Sequence, residues 1–181
     1  MLDDLKRATA AAHEKAEEHN PARHIIDHSI TENQYHKLLA HNYQVYYAVE
    51  KFADNHKSKL PEKVQNLLSF NKTDRLKNDL ESLGQSVAEI PDIDLTIPAT
   101  RASIIGALYV IEGSMMGGML IARHLKQCDQ LSQKESKFYG GKPQQHVQRW
   151  QQFKDSVVDE NFTDQEVQEA IKSANIIFKL F

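Results

Sequence analysis

One cysteine, one tryptophan and five prolines in 181 residues leave several protein classes without material. A single thiol, Cys128, cannot form an internal disulfide, and it predicts a reducing, cytoplasmic setting. CxxC, HExxH and glycine-rich phosphate-cradling motifs are missing. No Glu-x-x-His pair recurs on two segments, so a carboxylate-bridged di-iron bundle is unsupported. Neither sign of charge is in excess: 22 Lys and Arg face 25 Asp and Glu, a net charge of −3. Aromatic residues are not interleaved with basic ones, and with no basic excess this argues against nucleic-acid binding. Alternating β-branched runs and Asn-Gly turns are absent, so strands are not expected. The acidic opening Met1-Leu2-Asp3-Asp4 lacks the basic-then-apolar layout of a secretory signal. One long apolar run exists, residues 104–122, interrupted only by Glu112 and carrying a Gly113-xxx-Gly117 spacing. Four glycines and a glutamate weaken it as a membrane span, and no second span accompanies it. It reads as a buried central helix.

What remains is helical periodicity over one domain, residues 1–181, with no repeat or boundary. Leu2, Leu5, Thr9, Ala12 and Ala16 recur at three- and four-residue steps and predict a helix to about residue 18, ended by Asn20-Pro21. Thr31-Glu32-Asn33-Gln34 reads as a capping box opening a helix to about residue 55, with Leu38, Leu39, Tyr43, Tyr46, Val49 and Phe52 as its apolar stripe. Short helices are predicted over 61–68 and 73–83, the second capped by Thr73 and stopped near Gly84. Residues 89–98 hold two prolines and predict an extended connection. One helix is then expected over 99–128 and a turn at Gly140-Gly141-Lys142-Pro143. A helix through Val147, Trp150, Phe153 and Val157 follows. A second capping box at Thr163-Asp164-Gln165-Glu166 opens a final helix with Val167, Ile171, Ala174 and Phe178. The expected fold is an all-α helical bundle.

Two features could carry chemistry. His13 follows Ala10-Ala11-Ala12, where short side chains let a flat ligand approach the backbone. Glu17, four residues on, shares its helix face and could hold the second ring nitrogen's proton. Lys6, seven residues earlier, could pair with a carboxylate on a ligand's rim. The same spacing also suits an exposed histidine among solvated charges. The second feature is a cluster of Gly106, Gly113, Gly117 and Gly118, four of the seven glycines, inside one apolar helical run. Each costs roughly 0.8–1 kcal/mol against alanine in a helix interior. Close helix packing or bare backbone laid over a planar ligand would each justify the cost. Cys128 has no motif marking it as a nucleophile. The charged stretch 51–63 reads as a solvated helix end and loop, and Tyr43, Tyr46 and Tyr47 as core or interface residues.

Taken together, these segments resemble the heme oxygenases. Leu5-Lys6-Arg7-Ala8-Thr9-Ala10-Ala11-Ala12-His13-Glu14-Lys15-Ala16-Glu17 is similar to their proximal helix, and Tyr43-Gln44-Val45-Tyr46-Tyr47-Ala48-Val49-Glu50 to the next long helix. Tyr109-Val110-Ile111-Glu112-Gly113-Ser114-Met115-Met116-Gly117-Gly118 resembles the distal-helix signature in its bacterial form. The resemblance covers nearly the whole chain. It implies a heme oxygenase fold with heme between the first helix and a kinked, glycine-rich distal helix. It also implies His13 as iron ligand, Glu17 beside it and Lys6 on a heme propionate. Gly113 and Gly117 would abut the heme, Gly118 would permit the bend, and Tyr46 would join a distal water network. Ser114 stands where mammalian members have an aspartate, and a hydroxyl carries no charge. The basic residues for the second propionate do not align cleanly; Arg149 is the candidate. The implied reaction is cleavage of heme, both substrate and cofactor, to biliverdin, carbon monoxide and ferrous iron. It needs O2 and electrons from an external ferredoxin or reductase. A non-catalytic heme carrier on the same fold, or a relative acting on another small molecule such as thiamin, are the competing readings.

Overall fold

A computed structural model describes residues 1–131 and 135–181. Among them ten α-helices and no strands occur. The chain opens with α1 (Leu2–Ala8) and α2 (Ala10–His19) where one helix was expected. The division falls at Thr9, whose hydroxyl donates to the carbonyl of Leu5 at 2.7 Å, a back-bond that bends helices. The backbone ladder nonetheless runs on, from His13 N to Thr9 O at 2.9 Å. Asn20 ends α2, its side-chain oxygen accepting from Ala22 N at 2.8 Å. One further turn, α3 (Arg23–Ile26), was not expected.

α4 (Glu32–Asn55) begins at the expected capping box: Thr31 Oγ1 accepts from Gln34 N while Gln34 Oε1 accepts from Thr31 N. Its buried stripe holds Leu38, Leu39, Tyr46 and Val49, with Tyr43 and Phe52 half-buried beside it. α5 (Glu62–Gln65) is one turn, shorter than expected. α6 (Asn71–Ser82) starts two residues before Thr73. Thr73 is no cap: it lies inside the helix, buried, and its amide donates to Glu50 Oε2 at 3.2 Å. Gly84 adopts φ +78°, a left-handed conformation that glycine takes freely, and ends the element.

After an irregular connection, Thr100 caps α7 (Arg101–Gly113) by accepting from Ser103 N at 3.2 Å. α8 (Met115–Leu125) follows after a break at Ser114. α9 (Pro143–Val158) follows Gly141, at φ +103°, with proline in its first turn. α10 (Asp164–Phe178) opens on the second expected capping box, Thr163 with Glu166.

α7 is the axis of the bundle. It packs lengthwise on α10 and also against α4 and α9, so nearly every side chain from Ala102 to Glu112 is buried. Over Arg101–Leu125 the chain is long and apolar enough to cross a membrane by composition alone; in the bundle the α7 half of that stretch is covered by other helices. Gly106 explains the closeness of α10, because a Cβ there would lie 2.1 Å from the carbonyl oxygen of Ala170. For this glycine, close packing is the reason for the residue.

Candidate functional site

A largely apolar cavity of about 1030 Å³ opens between α1–α2 on one side and α7–α8 on the other. Phe178 and Phe181 at the end of α10, and Trp150 and Lys154 of α9, complete its walls. Lys6, His13, Glu17, Tyr46, Gly113, Ser114, Gly117 and Gly118 all line it, so eight of the nine residues that the resemblance assigns to the site meet in one place.

His13 projects from α2 with its side chain 55% exposed. Its Nδ1 lies 3.5 Å from Glu17 Oε2, and the ring of Phe178 stands edge-on to it with centroids 5.5 Å apart. The carboxylate favours the tautomer with the proton on Nδ1, which leaves the Nε2 lone pair to a metal.

On the facing wall, a Cβ added at Gly117 would meet nothing within 4 Å. Bare backbone therefore fronts the cavity at this position. Cβ atoms at Gly113 and Gly118 would reach Trp150 and Tyr139 at an ordinary 3.6 Å. The two kinds of glycine separate experimentally. Gly117→Ala is expected to stabilise the protein by about 0.8–1 kcal/mol through helix propensity alone. Gly106→Ala, forced against backbone, should destabilise it by at least the roughly 1–3 kcal/mol of an overpacked core. Urea unfolding of both variants checks this; equal losses in both would contradict the assigned environments.

The helix is interrupted at Ser114, four residues before Gly118, where a bend was expected, and backbone bonds from Ser114 N to Val110 O and from Gly118 N to Ser114 O carry the ladder across it. Ser114 Oγ donates to the carbonyl of Ile111 at 3.0 Å. Its single proton is thereby used, so Tyr46 donates in the 2.5 Å contact between Tyr46 Oη and Ser114 Oγ. Burial raises Tyr46 well above the ordinary phenol range, and the bond to Ser114 offsets this only in part. It is a neutral phenol at any physiological pH.

Arg149 is the residue the structure does not bring to the cavity. Its Nε donates to Glu112 Oε2 at 3.0 Å and its Nη2 to Glu112 Oε1 at 2.9 Å and to the carbonyl of Leu67. Lys72 Nζ also donates to Glu112 Oε1, at 2.7 Å. The guanidinium is thus committed to a buried carboxylate. Lys154, five residues on and about 140° round the helix, lines the cavity instead, its ammonium 5.9 Å from the Trp150 ring centre. Sequence reasoning also missed Asn42, which lines the cavity and donates to Tyr139 Oη at 3.0 Å. Its place on the cavity side of α4, one turn before Tyr46, was the available signal.

A helical bundle with one imidazole and side-chain-free backbone on the walls of a single largely apolar cavity defines a class, the all-helical proteins with a pocket for an apolar ligand beside a nitrogen donor. The family model for heme oxygenase matches residues 1–181, and the chain belongs to the heme oxygenase family, enzymes that degrade heme. Its fold is similar to that of the heme oxygenase of Neisseria meningitidis, solved with NO and CO bound. That likeness has 22% identity and TM-score 0.73, over 97% of this chain and 84% of that one. The heme oxygenase of Leptospira interrogans is similar at 20% identity and TM-score 0.71, over 97% and 93%. No individually curated protein sequence matches.

Proposed function

We propose that this chain cleaves heme to biliverdin, carbon monoxide and ferrous iron, with His13 as the iron ligand and electrons from an external ferredoxin or reductase. The observation that carries the reading is His13 and the bare backbone of Gly117 on the walls of one cavity. Its volume, about 1030 Å³, stands at the upper end of the roughly 300–1,000 Å³ of small-molecule sites. Apolar side chains suit the macrocycle's faces, and Lys6 and Lys154 suit its two carboxylates.

The heme supplies the iron and is itself the substrate attacked. The protein's residues do the rest. Glu17 would hold the proton of His13 on Nδ1, leaving Nε2 to the iron, and orient the ring. Gly117 leaves space on the opposite wall for a diatomic gas. Tyr46 and Ser114 offer only weakly acidic hydroxyls there; of the two carboxylates that act on Tyr46, Glu112 is held by Lys72 and Arg149 and Glu50 accepts from the amide of Thr73. Protons therefore pass sparingly, through hydroxyls and water. A thiolate ligand would favour oxygen–oxygen cleavage, but Cys128 is buried away from the cavity, its thiol directed at the carbonyls of Ile25 and His124. Such an arrangement favours oxidation of the macrocycle's own carbon. The chain contains no flavin or nicotinamide motif, so the reductant is a separate protein in the cytoplasm.

The test is reconstitution with hemin followed by ferredoxin, its reductase and air. Loss of the Soret band with growth of biliverdin absorbance is expected. A stable reduced or oxygenated spectrum would replace this reading with a heme carrier.

A further inference from the structure

Outside the cavity, two histidines from distant parts of the chain meet ring to ring. His28, in the turn after α3, places Nε2 3.0 Å from Nδ1 of His124 in the last turn of α8. The ring centroids are 5.2 Å apart with planes 30° from parallel. His28 is also the one non-glycine residue with positive φ among the described residues, at +60°. Left-handed backbone at such a residue costs on the order of 1 kcal/mol, and here it sets the imidazole against its partner. Neither ring lines the cavity, and the two positions are 96 residues apart, which is why the sequence does not display them as a pair.

Two ring nitrogens at this distance share a proton, one donating and one accepting. A single divalent ion imposes much the same separation. With metal–nitrogen bonds of about 2.0–2.1 Å, nitrogens at right angles lie about 2.9 Å apart and at the tetrahedral angle about 3.3 Å apart. We propose that His28 and His124 are a binding site for one divalent transition ion of the nickel, copper or zinc class: the two rings turn so that both lone pairs converge on the ion, and the proton they share moves to the other nitrogen of the ring that carried it. Imidazole nitrogens suit these ions; magnesium and calcium require oxygen ligands. His24 and Asp27 do not complete the shell, because both are turned to Ser29: His24 Nδ1 lies 3.0 Å from its hydroxyl, and Asp27 Oδ1 accepts from its amide and hydroxyl. No set of three His, Cys, Asp or Glu side chains around one ion exists among the described residues. Water fills the remaining positions, so the ion exchanges freely and the two imidazoles supply the affinity. Its placement has a consequence for the fold. Arg23 and Ile26 of α3 and Leu120 and Ile121 of α8 line the cavity, so the ion would clasp two walls of the heme site together.

Calorimetric titration of the full chain with nickel chloride tests the site, using wild type, His28→Gln, His124→Gln and, as a control, His19→Gln. One nickel ion per wild-type chain is expected, with no uptake of magnesium. Both pair variants should lose about 10–100-fold in affinity or more, the least that losing even an outer-sphere partner costs, and His19→Gln should lose nothing. Nickel should also raise the melting temperature of wild type but not of the pair variants, since it binds the folded pair only. Absence of stoichiometric binding in wild type, or full affinity retained by either pair variant, overturns the proposal. The pair variants' circular dichroism, expected to match wild type, separates a lost ligand from a lost fold, and none of these readouts involves heme.

Discussion

His13→Ala is expected to abolish heme turnover while leaving the helical fold intact. Loss of an outer-sphere partner of a metal ligand typically costs about 10–100-fold, and loss of the ligand itself should exceed that. Stability should hold or rise slightly. The imidazole is more than half exposed, and alanine is the best helix former, so no core contact is at stake beyond the edge of Phe178. Three measurements separate the roles: the ferric heme spectrum, the rate of Soret loss under reductant and air, and the melting temperature of the heme-free protein. Ligation and turnover should fall together, and added imidazole should restore the ligated spectrum because the cavity beside α2 is open at that position. An unchanged ferric spectrum in the variant would move the ligand to another residue.

Part of the cavity was legible in sequence from local rules, whereas Tyr46 and Ser114 came only with the resemblance to the heme oxygenases. His13 and Glu17 share a face by four-residue spacing, and the capping boxes at Thr31 and Thr163 close within three residues. The misplaced features depend on partners far along the chain. Thr73 has the residue type of a cap, yet Glu50 of α4 claims its amide and the helix begins earlier. Gly106 and Gly117 lie in the same apolar run, and only Ala170 on α10 distinguishes the packing glycine from the one facing open space. The breaks at Thr9 and Ser114 fall where hydroxyls turn onto carbonyls of the preceding turn, which apolar periodicity does not register. Arg149 and Lys154 are both basic residues on one helix. The unforeseen attraction of a buried carboxylate decides which of them is drawn away from the cavity.

That carboxylate, Glu112, is the basis of the second large effect. Its side chain is 4% exposed and pairs with Lys72, itself 8% exposed, and with Arg149, 29% exposed. Glu112→Gln keeps the shape and removes the charge, leaving the buried Lys72 ammonium with only the electrostatic attraction of Glu50. Breaking a buried pair from one side costs about 3–5 kcal/mol, which for a chain of this size lowers the melting temperature by on the order of 10 °C. Lys72→Met removes the stranded charge and leaves Glu112 bonded to Arg149, so it should cost less; a loss equal to that of Glu112→Gln would argue against this partition. The pH dependence has a definite sign. Burial pushes Glu112 up, but Lys72 and Arg149 outweigh it and hold the carboxyl below its ordinary value of 4.5. A depressed carboxyl adds stability that is complete above that value and is lost as pH falls through the lower one. Glu50 acts oppositely: burial, opposed only in part by Lys72, raises it, so its contribution is greatest in acid and declines as pH rises past the ordinary value. Glu112→Gln should therefore melt well below wild type at neutral pH, and the gap should narrow below pH 4.5. A gap that stays constant with pH would mean that the lost stability comes from packing around residue 112 and not from its charge.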